Sequence, residues 1–180
     1  MNLLLIISFA ALFPLLHLFS SWVFGFTEIS PHISLIYLPA FMRLANVLIL
    51  GWRNGFLATL LGSLLLTAYF QDAWLPSVLN SLCSASGPLL ALGLFRWHSK
   101  RNVELTSLKD LGLLTVLYAV SNAVLHHIMW SFIDPSKLAA PLQVVWMICG
   151  DITGALLGAY ALKWVLVQYR ECKYCAALRK

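Results

Sequence analysis

Residues 33–71 read ISLIYLPAFMRLANVLIL, then GWRN, then GFLATLLGSLLLTAYFQ. The two apolar runs, Ile33–Leu50 and Gly55–Gln71, each approach the ~20 residues a helix needs to cross a ~30 Å hydrocarbon core. Gly51-Trp52-Arg53-Asn54 is so short that the runs must form an antiparallel hairpin. Arg43 falls inside the first run. A charge at such depth costs at least ~2.5–3.5 kcal/mol on insertion scales and normally faces a partner or a wet cavity.

Outward from this hairpin, four more segments have the same character: Leu3–Phe24, Leu75–Phe95, Leu108–Phe132 and Leu142–Val167. The expected fold is all-α, a polytopic transmembrane helix bundle of about six spans. Residues 1–168 form a single transmembrane domain, and 169–180 a short basic tail. Composition agrees. The chain is 61% hydrophobic and 11% charged, where a soluble domain carries roughly 25% charged residues, and its mean hydropathy is +0.83. Met1-Asn2-Leu3 lacks a basic n-region and no small-x-small cleavage site closes the first run, so a retained helix is expected.

The +5 net charge is explained by its location. One set of span ends carries Arg53, Arg96, Lys100, Arg101, Lys109, Arg170, Lys173, Arg179 and Lys180, whereas the opposite loops carry only Lys137 beside Glu28, Asp72 and Asp134. The positive-inside rule then places the first set and both termini in the cytoplasm of a multi-pass cell-membrane protein. Trp22, Trp52, Trp74, Trp97 and Trp130 lie near span ends, as an interfacial aromatic belt requires. The partner this implies is the lipid bilayer, not nucleic acid.

The polar residues inside the spans are the candidate site. Asn46 follows Arg43 at i+3 on the same helix face, and Asp151 lies about nine residues into the last span. Arg43 and Asp151 either neutralise one another as a structural pair or frame a cavity in which Arg43 holds an anionic group. In the fifth span Tyr118, Asn122 and His126 recur every four residues and share a face, while His127 points ~100° away. Such a stripe suits hydrogen bonding across helices, or a proton or ligand pathway. Gly150, Gly154 and Gly158 form a ladder along the last span, flanked by Ala155 and Ala159; small residues let helix backbones approach closely in lipid. Ala58 and Gly62 repeat this in the third span. Ser81, Ser84, Ser86 and Gly87 precede Pro88, which either kinks the fourth span for packing or frees a carbonyl towards a cavity.

Four cysteines do not make a disulfide framework, since Cys83 and Cys149 lie in apolar spans and Cys172 and Cys175 form one C-x-x-C in the tail. That tail offers half the ligands of a structural zinc site, and His126-His127 is too sparse for a metal. No phosphate loop, nucleophile elbow, H-E-x-x-H or paired carboxylates occur. The expectation is a non-enzyme without cofactor or metal.

Two stretches carry a resemblance. Tyr37-Leu38-Pro39-Ala40, leading through Leu50-Gly51-Trp52-Arg53-Asn54-Gly55 to Leu61-Gly62, resembles the early helices of the bacterial membrane-associated sensor family (MASE-type), and Trp146 with Gly150-Asp151-Ile152-Thr153-Gly154 is similar to its ending. The resemblance implies a sensory input domain of a bacterial inner membrane. About six spans, where the family commonly has more, and no output module after Lys180 make this a shortened, standalone form whose output a separate protein must carry. The leading expectation is therefore a sensory or accessory protein that binds a small molecule or a membrane partner, as a monomer or a homo-oligomer. The alternatives are a substrate-binding membrane subunit of a transporter and a purely structural assembly subunit.

Overall fold

The computed structural model describes residues 3–30, 33–70, 73–133 and 142–177. They form α1 (Leu3–Phe24), a 3₁₀ turn (Gly25–Thr27), strands β1 (Glu28–Ser30) and β2 (Ile33–Ser34), then α2 (Pro39–Phe70), α3 (Trp74–Ser99), α4 (Leu108–Ile133) and α5 (Leu142–Ala177). All five helices are long and apolar enough to cross a membrane. The fold is the all-α transmembrane bundle that the apolar runs imply.

The hairpin lies inside α2. Gly51 has φ 79° and ψ 167°, a region that is essentially glycine-only, and the chain doubles back there. Asn46 Nδ2 donates to Thr59 Oγ1 at 3.0 Å, whereas an unbroken helix would hold these residues ~20 Å apart at 1.5 Å per residue. The far ends meet as well: the His17 ring stands 5.8 Å from that of Tyr37 and 6.0 Å from that of Phe70. The five helices therefore supply six apolar arms.

Two boundaries depart from expectation. The second span is not helical from Ile33; the helix starts at Pro39. Proline is well suited to the first helical position, and it pushes the residue before it, here Leu38, towards extended backbone. Ile33–Leu38 therefore enters the bundle without helical structure, and the arm from Pro39 to Leu50 is only about 18 Å long. At the other end of the chain, α5 does not stop near Val167; residues 169–177 of the expected tail continue the helix.

The extended segment rests on α5. Gly150 faces the carbonyl of Ser34, Gly154 that of Tyr37 and Gly158 the Phe41 side chain, each so closely that a Cβ would collide. The glycine ladder thus packs against this chain's own second arm. Its backbone groups are answered in turn. Leu35 N donates to Thr27 O (3.1 Å), Tyr37 N to Gly150 O (3.1 Å) and Leu38 N to Ser20 Oγ (3.3 Å), while the Thr153 hydroxyl donates to Leu35 O. The smaller pair in the third predicted span behaves similarly, with Gly62 set against Ala10 O and Phe13 of α1.

At the basic end, Ala40, Leu44, Val47, Ala91, Leu92, Phe95, Leu114 and Ala155 pack with Tyr118 into a closed apolar layer. The α3–α4 connection above it is pinned: Arg101 grips Asp110 with both guanidinium nitrogens (2.5 and 2.7 Å), and Ser107 Oγ accepts from Asp110 N at 3.3 Å as a helix cap.

Glycine substitutions test this packing. Gly154→Ala drives a methyl into the Tyr37 carbonyl and should cost ~1–3 kcal/mol, the usual range for overpacking. Gly51→Ala should cost a similar ~1–3 kcal/mol through backbone strain alone. Gly93→Ala, in α3 with nothing within 4 Å of its Cβ, should be neutral or stabilising by up to ~1 kcal/mol. Circular-dichroism melts in detergent would rank the three.

Candidate functional site

Arg43 lies one turn into the short arm and is 6% exposed. Its Nη1 donates to Tyr118 Oη and its Nη2 to Tyr37 Oη, both at 3.3 Å. The guanidinium also stands 5.1 Å from the Tyr37 ring centre and 5.6 Å from that of Phe13. Nε has no hydrogen-bond partner among the described residues. Phenols and aromatic faces hold this cation, and no carboxylate among the described residues stands within 4 Å of it.

Asp151 is 2% exposed and accepts a 2.6 Å hydrogen bond from Asn122 Nδ2. It makes no ion pair with Arg43. The stripe on α4 connects the two charges, because Tyr118 takes Arg43 and Asn122, one turn later, takes Asp151. Gly87 makes this possible from the other side: a Cβ there would stand 3.2 Å from Asn122, so α3 lies directly against it. One turn further, His126 Nδ1 donates to Asn122 O at 2.8 Å, which leaves Nε2 to accept from Ser84 Oγ at 3.4 Å. Trp130 then closes the row, donating Nε1–H to Asn80 Oδ1 at 3.0 Å.

These groups surround a cavity of about 460 Å³, within the ~300–1,000 Å³ range of small-molecule sites. Arg43, Asp151, Tyr37, His17, His126 and Ser63 supply polar walls, while Phe13, Phe70, Trp130 and Met147 supply apolar ones. The lining also includes Ile33, Ala73, Pro76 and Gln143, which lie near the connections at the end opposite the basic one. Towards the basic end it stops at Arg43, where the apolar layer begins. The site is a blind pocket.

Of the residues expected to form a site, Arg43, His126 and Asp151 line the pocket, and Asn122 stands behind Asp151. Asn46 does not belong. It is fully buried, its amide bonds Thr59 across the hairpin, and it is not in the pocket lining. His127, on the neighbouring face, packs its ring 5.1 Å from Trp130 and lies outside the lining. Ser81 and Ser84 reach the pocket, and α3 continues unbroken past Pro88.

Sequence reading did not single out His17, Ser63, Thr67 or Asn80, all in the lining. The available signal was that each is polar within an apolar run. No three metal-ligating side chains converge among the described residues, Cys83 and Cys149 are free and half-buried, and the side chains of Cys172 and Cys175 lie outside the described set. Comparison with protein-family models, with curated proteins and with solved structures gives no match.

Asn46→Leu separates the hairpin from the pocket. Leaving Thr59 Oγ1 unpaired in the core should cost ~1–3 kcal/mol, read as a lower melting point, while any small molecule retained by the wild type stays bound.

Proposed function

We propose that this chain is a non-enzymatic membrane receptor, a sensory or accessory subunit that binds a small molecule in the blind pocket and passes the change to a separate protein. One observation carries the reading: Arg43 is buried at the pocket floor without a carboxylate partner and with Nε unsatisfied. An isolated charge in an apolar interior is strongly unfavourable unless something pairs with it. An anionic group entering the pocket would supply that pairing.

The mechanism follows from Tyr37. Its hydroxyl accepts from Arg43, and its backbone N–H donates to Gly150 of α5. A ligand anion competing for the guanidinium leaves the phenol to its 3.3 Å hydrogen bond with His17 Nδ1, and the extended segment can then shift against the glycine ladder. The shift loads α5, which at 36 residues is about 54 Å long and exceeds a ~30 Å core. Its last turns extend past the bundle, where a partner can read them. With the basic ends in the cytoplasm of a bacterial inner membrane, the pocket opens outward and α5 projects inward. The resemblance to membrane-associated sensors supports the same role.

The blind end favours a receptor over a pore. A transporter subunit is the second reading, and it requires the apolar layer to open. Native mass spectrometry of protein gently extracted from its own membrane, wild type beside Arg43→Ala, addresses both. The expected result is a small-molecule adduct in the wild type that disappears from a folded mutant. Flux of that molecule into vesicles bearing the protein alone would favour transport. Bare wild-type protein would leave Arg43 with a structural role.

A further inference from the structure

Arg43 and Asp151 line one cavity, carry opposite charges, and are not in contact. In a bundle with freedom to bring them together, the ion pair would form. α4 prevents it. Tyr118 fixes Arg43 and Asn122 fixes Asp151, and these anchors are one helical turn apart, ~6 Å along the axis. Each charge keeps unused capacity. Among the described residues Arg43 Nε has no partner, and the hydrogen bond from Asn122 is the one side-chain bond to the Asp151 carboxylate, which has about four acceptor sites when ionised. Among the described residues the lining carries one guanidinium and one carboxylate, Arg43 and Asp151, besides the imidazoles of His17 and His126, so a ligand with one group of each sign can answer both.

We infer that the pocket selects a zwitterion: a molecule whose anionic group lies against Arg43, whose ammonium lies against Asp151, and whose apolar part lies among Phe13, Phe70 and Trp130. The inference rests on the receptor reading above and narrows it. An ammonium donates up to three hydrogen bonds and a carboxylate accepts from the guanidinium fork, so the two ends are not interchangeable. A free amino acid and the ammonium–phosphate headgroup of a zwitterionic lipid share this chemistry.

The test titrates the intact wild-type protein in detergent, read by native mass spectrometry. The probes are the twenty amino acids, phosphatidylethanolamine and phosphatidylglycerol. For whichever amino acid binds, the des-amino acid and the decarboxylated amine are added; for L-phenylalanine these are 3-phenylpropanoate and phenethylamine. The expected result is one zwitterion bound about tenfold or more tightly than either single-charge counterpart, the weight of one charge-assisted hydrogen bond. Retention of an amino acid identifies a soluble ligand, and retention of phosphatidylethanolamine over phosphatidylglycerol identifies a headgroup; both support the inference. Asp151→Asn, which retains an acceptor for Asn122, should remove the preference for the ammonium. A des-amino acid or phosphatidylglycerol bound as tightly as its zwitterion would overturn the inference and leave the receptor reading standing. If no probe binds, the zwitterion assignment falls, and the receptor reading falls with it only if the natively extracted protein is also bare. The probe comparison uses wild-type protein alone, so a misfolded variant does not decide the outcome.

Discussion

An extended stretch of backbone inside an apolar helical bundle must find protein partners for its N–H and C=O groups, because hydrocarbon offers none. Ile33–Leu38 meets this constraint, and much of the architecture follows from it. Gly150, Gly154 and Gly158 remove the side chains that would hold α5 away, and Gly150, Thr153, Ser20 and Thr27 supply the hydrogen bonds. With the segment seated, Pro39 starts a short helix deep in the bundle, Arg43 arrives one turn later, and Gly51 returns the chain. Ile33, Ser34 and Tyr37 of this segment line the pocket.

The charges show a similar economy of means. A buried arginine in a membrane bundle is usually neutralised by the nearest acid, and this chain carries an acid in the same cavity. Tyr118 and Asn122 each take one charge from a common helix face, and their spacing of one turn keeps the charges separate. Below Arg43 the apolar cluster of Leu44, Val47, Phe95 and Leu114 closes the space, with the buried Asn46–Thr59 pair set inside the hairpin, and the described pocket lining ends at the guanidinium.

Much of this was legible in the chain. Hydropathy located the helices, the four-residue GWRN turn implied the hairpin, and the i+4 repeat of Tyr118, Asn122 and His126 placed three buried groups on one face. The glycine ladder announced a close approach, although Gly150 and Gly154 meet an extended segment and only Gly158 meets a helix, at Phe41 of α2. Hydropathy cannot tell apolar helix from apolar extended chain; Pro39 and its effect on Leu38 were the local evidence, outweighed by the length of the apolar run. Asn46 shows a different limit. A residue 13 positions on, across the turn, captured it. The remaining pocket walls come from α1, the second arm of α2, α3 and α5, and their meeting is a property of packing that no single window contains.

Tyr37 is where these constraints converge. Its phenol bonds Arg43, its ring packs on His17, its N–H bonds Gly150, and its carbonyl faces Gly154. Packed interfaces of this kind change between discrete arrangements and do not deform continuously. Under the proposed receptor reading, a ligand that alters the phenol's hydrogen bond would act on the α5 contact through this one residue. The same helix that closes the pocket with Asp151 also runs out to Ala177. The pocket wall at Asp151 and the run out to Ala177 thus belong to one continuous helix.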